Sequence, residues 1–270
     1  MDIPAPHRAF LDDALPHIQR DGRVAGVALS GSLAHGRADD YSDIDLVLGI
    51  EDEAFAEVME HRLELVASWT RLVVGFTGEH VGEPRLIIAL VGPPLLHVDL
   101  KFVRLSDLGV RVDDPAVLWE RDARMSAALA SMPASPASLD LQWIEDRFWV
   151  WIHYTATKLA RGELYDAIAS IGFLREVVLG PLACHLAGVT PRGVRHLETI
   201  APQAAHALRA TVTDYDRERA AAAAVACVEL YRTWREASAT ALVRREEAER
   251  LSVAYLEDVV LLATARGDAG

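Results

Sequence analysis

Two aspartates inside an apolar run limit what this chain can fold into. Asp43 and Asp45 flank Ile44, and Leu46-Val47-Leu48-Gly49-Ile50 follows. Such a run reads as a strand, and strand residues two apart point to one face. Two neighbouring carboxylates repel each other unless a cation neutralises them. Oxygen ligands suit Mg²⁺. Upstream, a first apolar run at 24–29 stops at Ser30-Gly31-Ser32. A Gly-Ser turn opening a short helix presents backbone N–H groups and a hydroxyl, which is a seat for phosphate. A phosphate seat beside a carboxylate pair reads as nucleotide chemistry.

A third acidic residue lies in a similar setting. Residues 96–105 read as a strand in which His97, Asp99 and Lys101 alternate onto one face, with Val98, Leu100, Phe102 and Val103 as apolar bulk. An ionised Asp99 among such neighbours is costly unless paired or metal-bound. Two readings stand: a site carboxylate, or an ion pair with Lys101 on an exposed face.

Gly31-Ser32, ten intervening residues and Asp43-x-Asp45 between apolar flanks resemble the signature of the DNA polymerase β-like nucleotidyltransferase superfamily. That signature is Gly-Ser, a spacer, Asp-x-Asp/Glu, then a third carboxylate on a later strand. The string Gly-Ser-Leu … Tyr-Ser-Asp-Ile-Asp is most similar to the small antibiotic nucleotidyltransferases that act on aminoglycosides or lincosamides. The resemblance implies Mg²⁺-dependent transfer of AMP from ATP to a hydroxyl of a small acceptor, with release of pyrophosphate and a role in antibiotic resistance. It implies two Mg²⁺ ions held by Asp43, Asp45 and Asp99, with Asp99 also taking the acceptor proton. Gly31, Ser32 and Ser42 would seat the β,γ-phosphates. Arg37, or more weakly His35, would supply the positive charge that the family often sets in the spacer; an exposed charge is the other reading of Arg37. Tyr154, Lys158 and Arg161 would complete the triphosphate side from a second domain, or form a solvated helix face. Trp119 and Glu120 lie near the domain junction, within reach of an acceptor. His153 and the Trp143, Trp149 and Trp151 cluster read as packing between domains.

The residues around these motifs divide the chain. Ser131-Met132-Pro133-Ala134-Ser135-Pro136-Ala137-Ser138 is a linker of small residues and prolines. Before it, residues 1–130 form the predicted nucleotidyltransferase domain. Its expected elements are a helix over 6–20 with Pro16 blurring its end, and strands at 24–29, 44–50, 72–76, 86–91 and 96–105. A short weak helix at 33–39 and a clear one at 53–68 complete it. Residues 113–124 read either as a helix opening at Asp114-Pro115 or as a strand at 117–119. After the linker, 138–270 reads as helix throughout. Ser138 is the expected cap of 139–161, Gly180-Pro181 the expected break after 163–179, and helices follow at 194–200, 202–211, 216–240 and 245–265. The fold class is therefore α+β, a mixed sheet followed by an all-helical domain.

Composition narrows the partners. A net charge of −13 argues against a sequence-independent grip on nucleic acid and favours a cationic small molecule. The opening residues lack the basic and apolar regions of a signal peptide, and no segment reaches the length of an uncharged membrane span, so a cytoplasmic protein is expected. Cys184 and Cys227 read as buried thiols. Lysine occurs only at 101 and 158, against 25 arginines among 27 basic residues. A compact ammonium required at those two places is one reading, and chance the other. Monomer and homodimer both remain open, as do a nucleotide-binding regulatory or antitoxin-like role and a transferase that modifies a protein.

Overall fold

The computed structural model describes residues 3–136, 138–238 and 241–267. The chain forms two compact units, Met1–Pro136 and Ala137–Gly270. Ala137 of the linker and Thr240, the expected end of a helix, lie outside the described residues.

The first unit is built on a six-stranded sheet. Its strands are β1 (Val24–Leu29), β2 (Ile44–Ile50), β3 (Leu72–Gly78), β4 (Glu83–Val91), β5 (Leu96–Arg104) and β6 (Ala116–Glu120), in the order β3-β4-β5-β2-β1-β6. Only β2 and β5 run parallel; the other pairs are antiparallel. The sheet is mixed, and the fold is α+β. The ambiguous stretch 113–124 resolves as β6, an edge strand against β1.

Alternation along β2 and β5 decides which side chains reach solvent. Ile44, Leu46 and Leu48, with Val98, Leu100 and Phe102, are fully buried. They pack against Leu11, Ala14 and Ile18 of α1 (Ala5–Arg20) and Val58, Val66 and Trp69 of α3 (Phe55–Trp69). Each such aliphatic contributes about 1.5–3 kcal/mol. Asp45 and Asp99 point the other way and are half-buried. On that second face α4 (Arg124–Ala130) covers part of the sheet through Met125 and Leu129 on Ala28 and Val103.

Some boundaries differ from expectation, each for a local reason. Helix α1 runs through Pro16 to Arg20. The helix expected at 33–39 is a single turn, α2 (Gly31–Ala34), and Gly36 at φ +64° lies in the left-handed region beyond it. In the second unit Asp140, not Ser138, caps α5 (Leu141–Arg161) by accepting from Trp143 N at 2.8 Å, a bond worth about 1 kcal/mol. Gly180-Pro181 does not break its helix. A wide π turn at Arg175–Leu179 joins α6 (Leu164–Leu174) to α7 (Gly180–Leu186), which places the proline in the first turn of the new segment. Glycine is required at 180 because a Cβ there would lie 2.4 Å from Gly193 O.

Two single-turn or short helices, α8 (Leu197–Ile200) and α9 (Pro202–Leu208), lead to α10 (Arg217–Ala237) and α11 (Glu246–Gly267). The alanines of α10 at 220, 221, 223 and 224 are buried, as are Cys184 and Cys227. Leu164–Leu186 is the one helical run among the described residues long and apolar enough to cross a membrane by composition, and half of it is buried inside the unit. Trp149 is core as well, packed on Phe148 and Tyr231. It is therefore not free for packing between domains.

That core contains an ionic network. Glu145 of α5 is fully buried. It accepts from Tyr231 Oη at 2.6 Å, Trp149 Nε1 at 3.1 Å and Arg245 N at 2.9 Å. Arg235 Nη1 lies 3.0 Å from Glu145 Oε2 and 3.0 Å from Glu249 Oε2. Burial pushes the Glu145 carboxyl up, and these donors together outweigh it and hold it below the usual carboxylate range. Burial likewise drives the Tyr231 hydroxyl upward, with the Glu145 bond adding to it.

Candidate active site

The site begins where β1 ends. Ser30 N donates to Asp45 O at 2.9 Å, which ties the turn after β1 to β2. Gly31 has φ +62°, and a Cβ on it would lie 2.0 Å from Asp45 Oδ2. Conformation and space both exclude a side chain there. The backbone of the turn thus lies directly against the Asp45 carboxylate. Ser32 Oγ is buried and has no hydrogen-bond partner among the described residues. An unsatisfied buried hydroxyl costs about 1–3 kcal/mol, which a ligand oxygen would recover.

Across the parallel pair, Asp45 stands opposite Asp99. Asp99 Oδ1 lies 3.1 Å from His97 Nε2. One step further along the same face, Lys101 Nζ reaches Glu83 Oε2 at 2.8 Å, and Arg85 grips the same carboxylate with two bonds of 2.7 Å. The Arg85 hydrogen bonds first, with help from Lys101, hold Glu83 down to about 2.

The remaining expected residues lie around this core. Asp43 is half-buried and immediately precedes the first residue of β2, two positions before Asp45. The Ser42 hydroxyl is engaged within its own turn, donating to Asp39 Oδ1 and accepting from Asp39 N. Arg37 is exposed on the loop after α2. His35 Nε2 sits 2.8 Å from Asp113 Oδ2. Glu120 accepts from Ser126, and Arg121 lies over the Trp119 ring, so both expected acceptor contacts are held inside the first unit.

Tyr154, Lys158 and Arg161 belong to the second unit, where they form a cluster of their own. Lys158 Nζ lies 2.8 Å from Asp166 and 2.6 Å from Glu163, and Tyr154 donates to Asp166. Asp166 first, then Glu163, raise the Lys158 ammonium well above its ordinary value. His153 stacks on Tyr255, and the Trp143 ring lies tilted against Trp151.

Among the described residues, no group of three or more His, Cys, Asp or Glu side chains is placed to hold a metal ion. Mg²⁺ is commonly held by one or two carboxylates together with substrate phosphates. Asp45 and Asp99, facing each other beside the unpartnered Ser32 hydroxyl, fit that donor set.

One residue near the site was not expected. His7 of α1 is fully buried, with Nε2 2.6 Å from Ser42 O. The signal lies in the helix spacing: His7 falls in register with the buried Leu11, Ala14 and Ile18. A polar ring in an apolar stripe marks a bonded core position.

No family model matches the chain, and no curated protein matches it. Among solved structures it is similar to an aminoglycoside 6-adenyltransferase from Bacillus subtilis, with 16% identity over 93% of this chain and 97% of that one, at a TM-score of 0.39. It is also similar to a nucleotidyltransferase-like protein from Exiguobacterium sibiricum 255-15, with 13% identity over 85% of this chain and 76% of that one, at a TM-score of 0.40. Both likenesses are distant, and the functional reading rests on the residues of the site.

Proposed function

We propose that the chain is a nucleotidyltransferase that moves AMP from ATP to a hydroxyl of a small molecule, an aminoglycoside- or lincosamide-type antibiotic, and releases pyrophosphate. One juxtaposition carries the reading. A buried, unpartnered serine hydroxyl follows a glycine pressed against one carboxylate, which faces a second across a parallel strand pair. A structural turn has no use for that arrangement, whereas a triphosphate has.

In this reading the backbone at Gly31 approaches the phosphates closely and Ser32 Oγ donates to one of their oxygens. Asp43, Asp45 and Asp99 are the residues that would hold Mg²⁺, whose charge would neutralise the phosphate oxygens in an in-line displacement. Asp99 takes the proton of the acceptor hydroxyl as general base. The acceptor oxygen bonds to the α-phosphorus as the bond from that phosphorus to the pyrophosphate oxygen breaks. His97, at 3.1 Å, orients the Asp99 carboxylate. The net charge of −13 supports a cationic acceptor.

The test is pyrophosphate release with Mg²⁺, each of the four nucleoside triphosphates and a panel of aminoglycosides and lincosamides. Release is expected with ATP and one acceptor class, and is expected to vanish in Asp99→Asn. Release that needs no acceptor, or that survives Asp99→Asn, would overturn the reading.

A further inference from the structure

We propose that His7 is a positioning residue for Asp43, fixing the start of β2 so that this carboxylate serves the same site as Asp45 and Asp99; the proposal rests on the transferase function above.

A carbonyl oxygen only accepts, so His7 Nε2 carries the proton that it donates to Ser42 O at 2.6 Å. Nδ1 is buried, with no hydrogen-bond partner among the described residues. An unpaired buried nitrogen is a liability that a leucine in the same stripe, like Leu11 one turn on, would avoid. Packing alone therefore does not account for a histidine at this position. The contact made by Nε2 does.

That contact anchors the far end of a segment whose near end is held by Ala38 on the sheet core and by Arg37 N on Ser32 O. Between α2 and β2 the chain is exposed at Arg37, Asp39, Asp40 and Tyr41. Asp39 organises the turn from within: its carboxylate accepts from Tyr41 N and Ser42 Oγ, and its carbonyl from Ser42 N. These bonds set the shape of the turn, not its place. The His7 bond joins the last residue of the turn to a helix whose other buried residues lie in the sheet core. The next residue is Asp43. A carboxylate that serves a site must be held to within a fraction of an ångström, and its support is normally a second residue fixed by packing.

The experiment compares wild type with His7→Phe, which keeps the ring volume and removes the donor, and His7→Gln, which keeps an N–H at similar reach. Three quantities are read: amide hydrogen exchange along the chain, the Mg²⁺ concentration that half-saturates ATP binding, and kcat with the KM for acceptor. In His7→Phe, exchange is expected to rise about tenfold at 38–44 alone, half-saturating Mg²⁺ to rise about tenfold, and kcat to fall about tenfold with acceptor KM unchanged. His7→Gln is expected to return all three to within about threefold of wild type. Unchanged exchange and Mg²⁺ dependence in His7→Phe would overturn the proposal. So would faster exchange throughout the first unit, or a glutamine variant as impaired as the phenylalanine one. A wild-type protein that binds no Mg·ATP would overturn the transferase function and this role with it; wild-type binding with an unaffected His7→Phe overturns only the role of His7.

Discussion

One charged cluster in each unit invites comparison, and the two are built on different plans. In the second unit Glu145, Glu249 and Arg235 lie inside the core, and both carboxylates have their donors supplied by the fold. In the first, Asp45 and Asp99 lie on a half-open sheet face beside a serine hydroxyl that the fold leaves without a partner. Charges answered from within hold helices together. Both places leave buried donors without a partner among the described residues, Arg235 Nε and Nη2 in one and Ser32 Oγ in the other, but Arg235 is core whereas Ser32 is half-buried, where an arriving ligand can meet it.

The comparison predicts separate failures. Arg235→Met removes the cation between two buried carboxylates and is expected to destabilise the second unit by about 3–5 kcal/mol, read by chemical denaturation. Adding Glu145→Gln is expected to recover part of that loss, because a neutral partner no longer needs the guanidinium. Asp99→Asn is expected to do the reverse. It should lower the rate of transfer by about 100-fold or more while stability stays within about 0.5 kcal/mol of wild type. If Asp99→Asn unfolds the protein, the sheet-face aspartates are structural and the contrast disappears.

Much of the first plan was legible because strand alternation and a glycine turn are local properties. The spacing of Asp43, Asp45 and Asp99 among apolar residues depends only on a period of two. The partners of those residues were not legible. Ser42 binds its own turn, Lys101 reaches Glu83, and Lys158 is matched by Glu163 and Asp166. Each contact is set by rotamers and register, which a linear pattern does not carry. The second plan was wholly hidden. Glu145 and Arg235 are 90 positions apart, and on their helices each resembles an ordinary surface charge until the helices pack. Pro16 and Pro181 show the same limit for breaks, since the helix continues through the first and a π turn accommodates the second.

Gly31→Ala strikes where backbone and site meet. Its φ of +62° is expected to cost an L residue about 1–2 kcal/mol in thermal or chemical unfolding. The new methyl would also displace Asp45, so transfer is expected to fall by more than the stability loss explains. Activity that tracks stability alone would place Gly31 with the structural residues.

The smallest expected effect concerns Glu83, which shares the sheet face with Asp99 and is held by Arg85 and Lys101. Its carboxyl is held at about 2, below its ordinary 4.5. The folded state therefore favours the ionised form. The stabilisation is complete above pH 4.5 and is lost as the pH falls toward 2. Glu83→Gln is expected to flatten the pH dependence of first-unit unfolding in that window. Little else should change at pH 7, because the residue is partly solvated and its charges are screened. Glu145 and Glu249 are also held below their ordinary range, so they contribute a slope of the same sign to the second unit. Unfolding followed by a probe in each unit separates the two. Glu83→Gln should alter only the first slope and Arg235→Met only the second. A first-unit slope that Glu83→Gln leaves intact would mean that the other carboxylates of that unit held below their ordinary range, Asp21 beside Arg23 among them, carry the acid sensitivity.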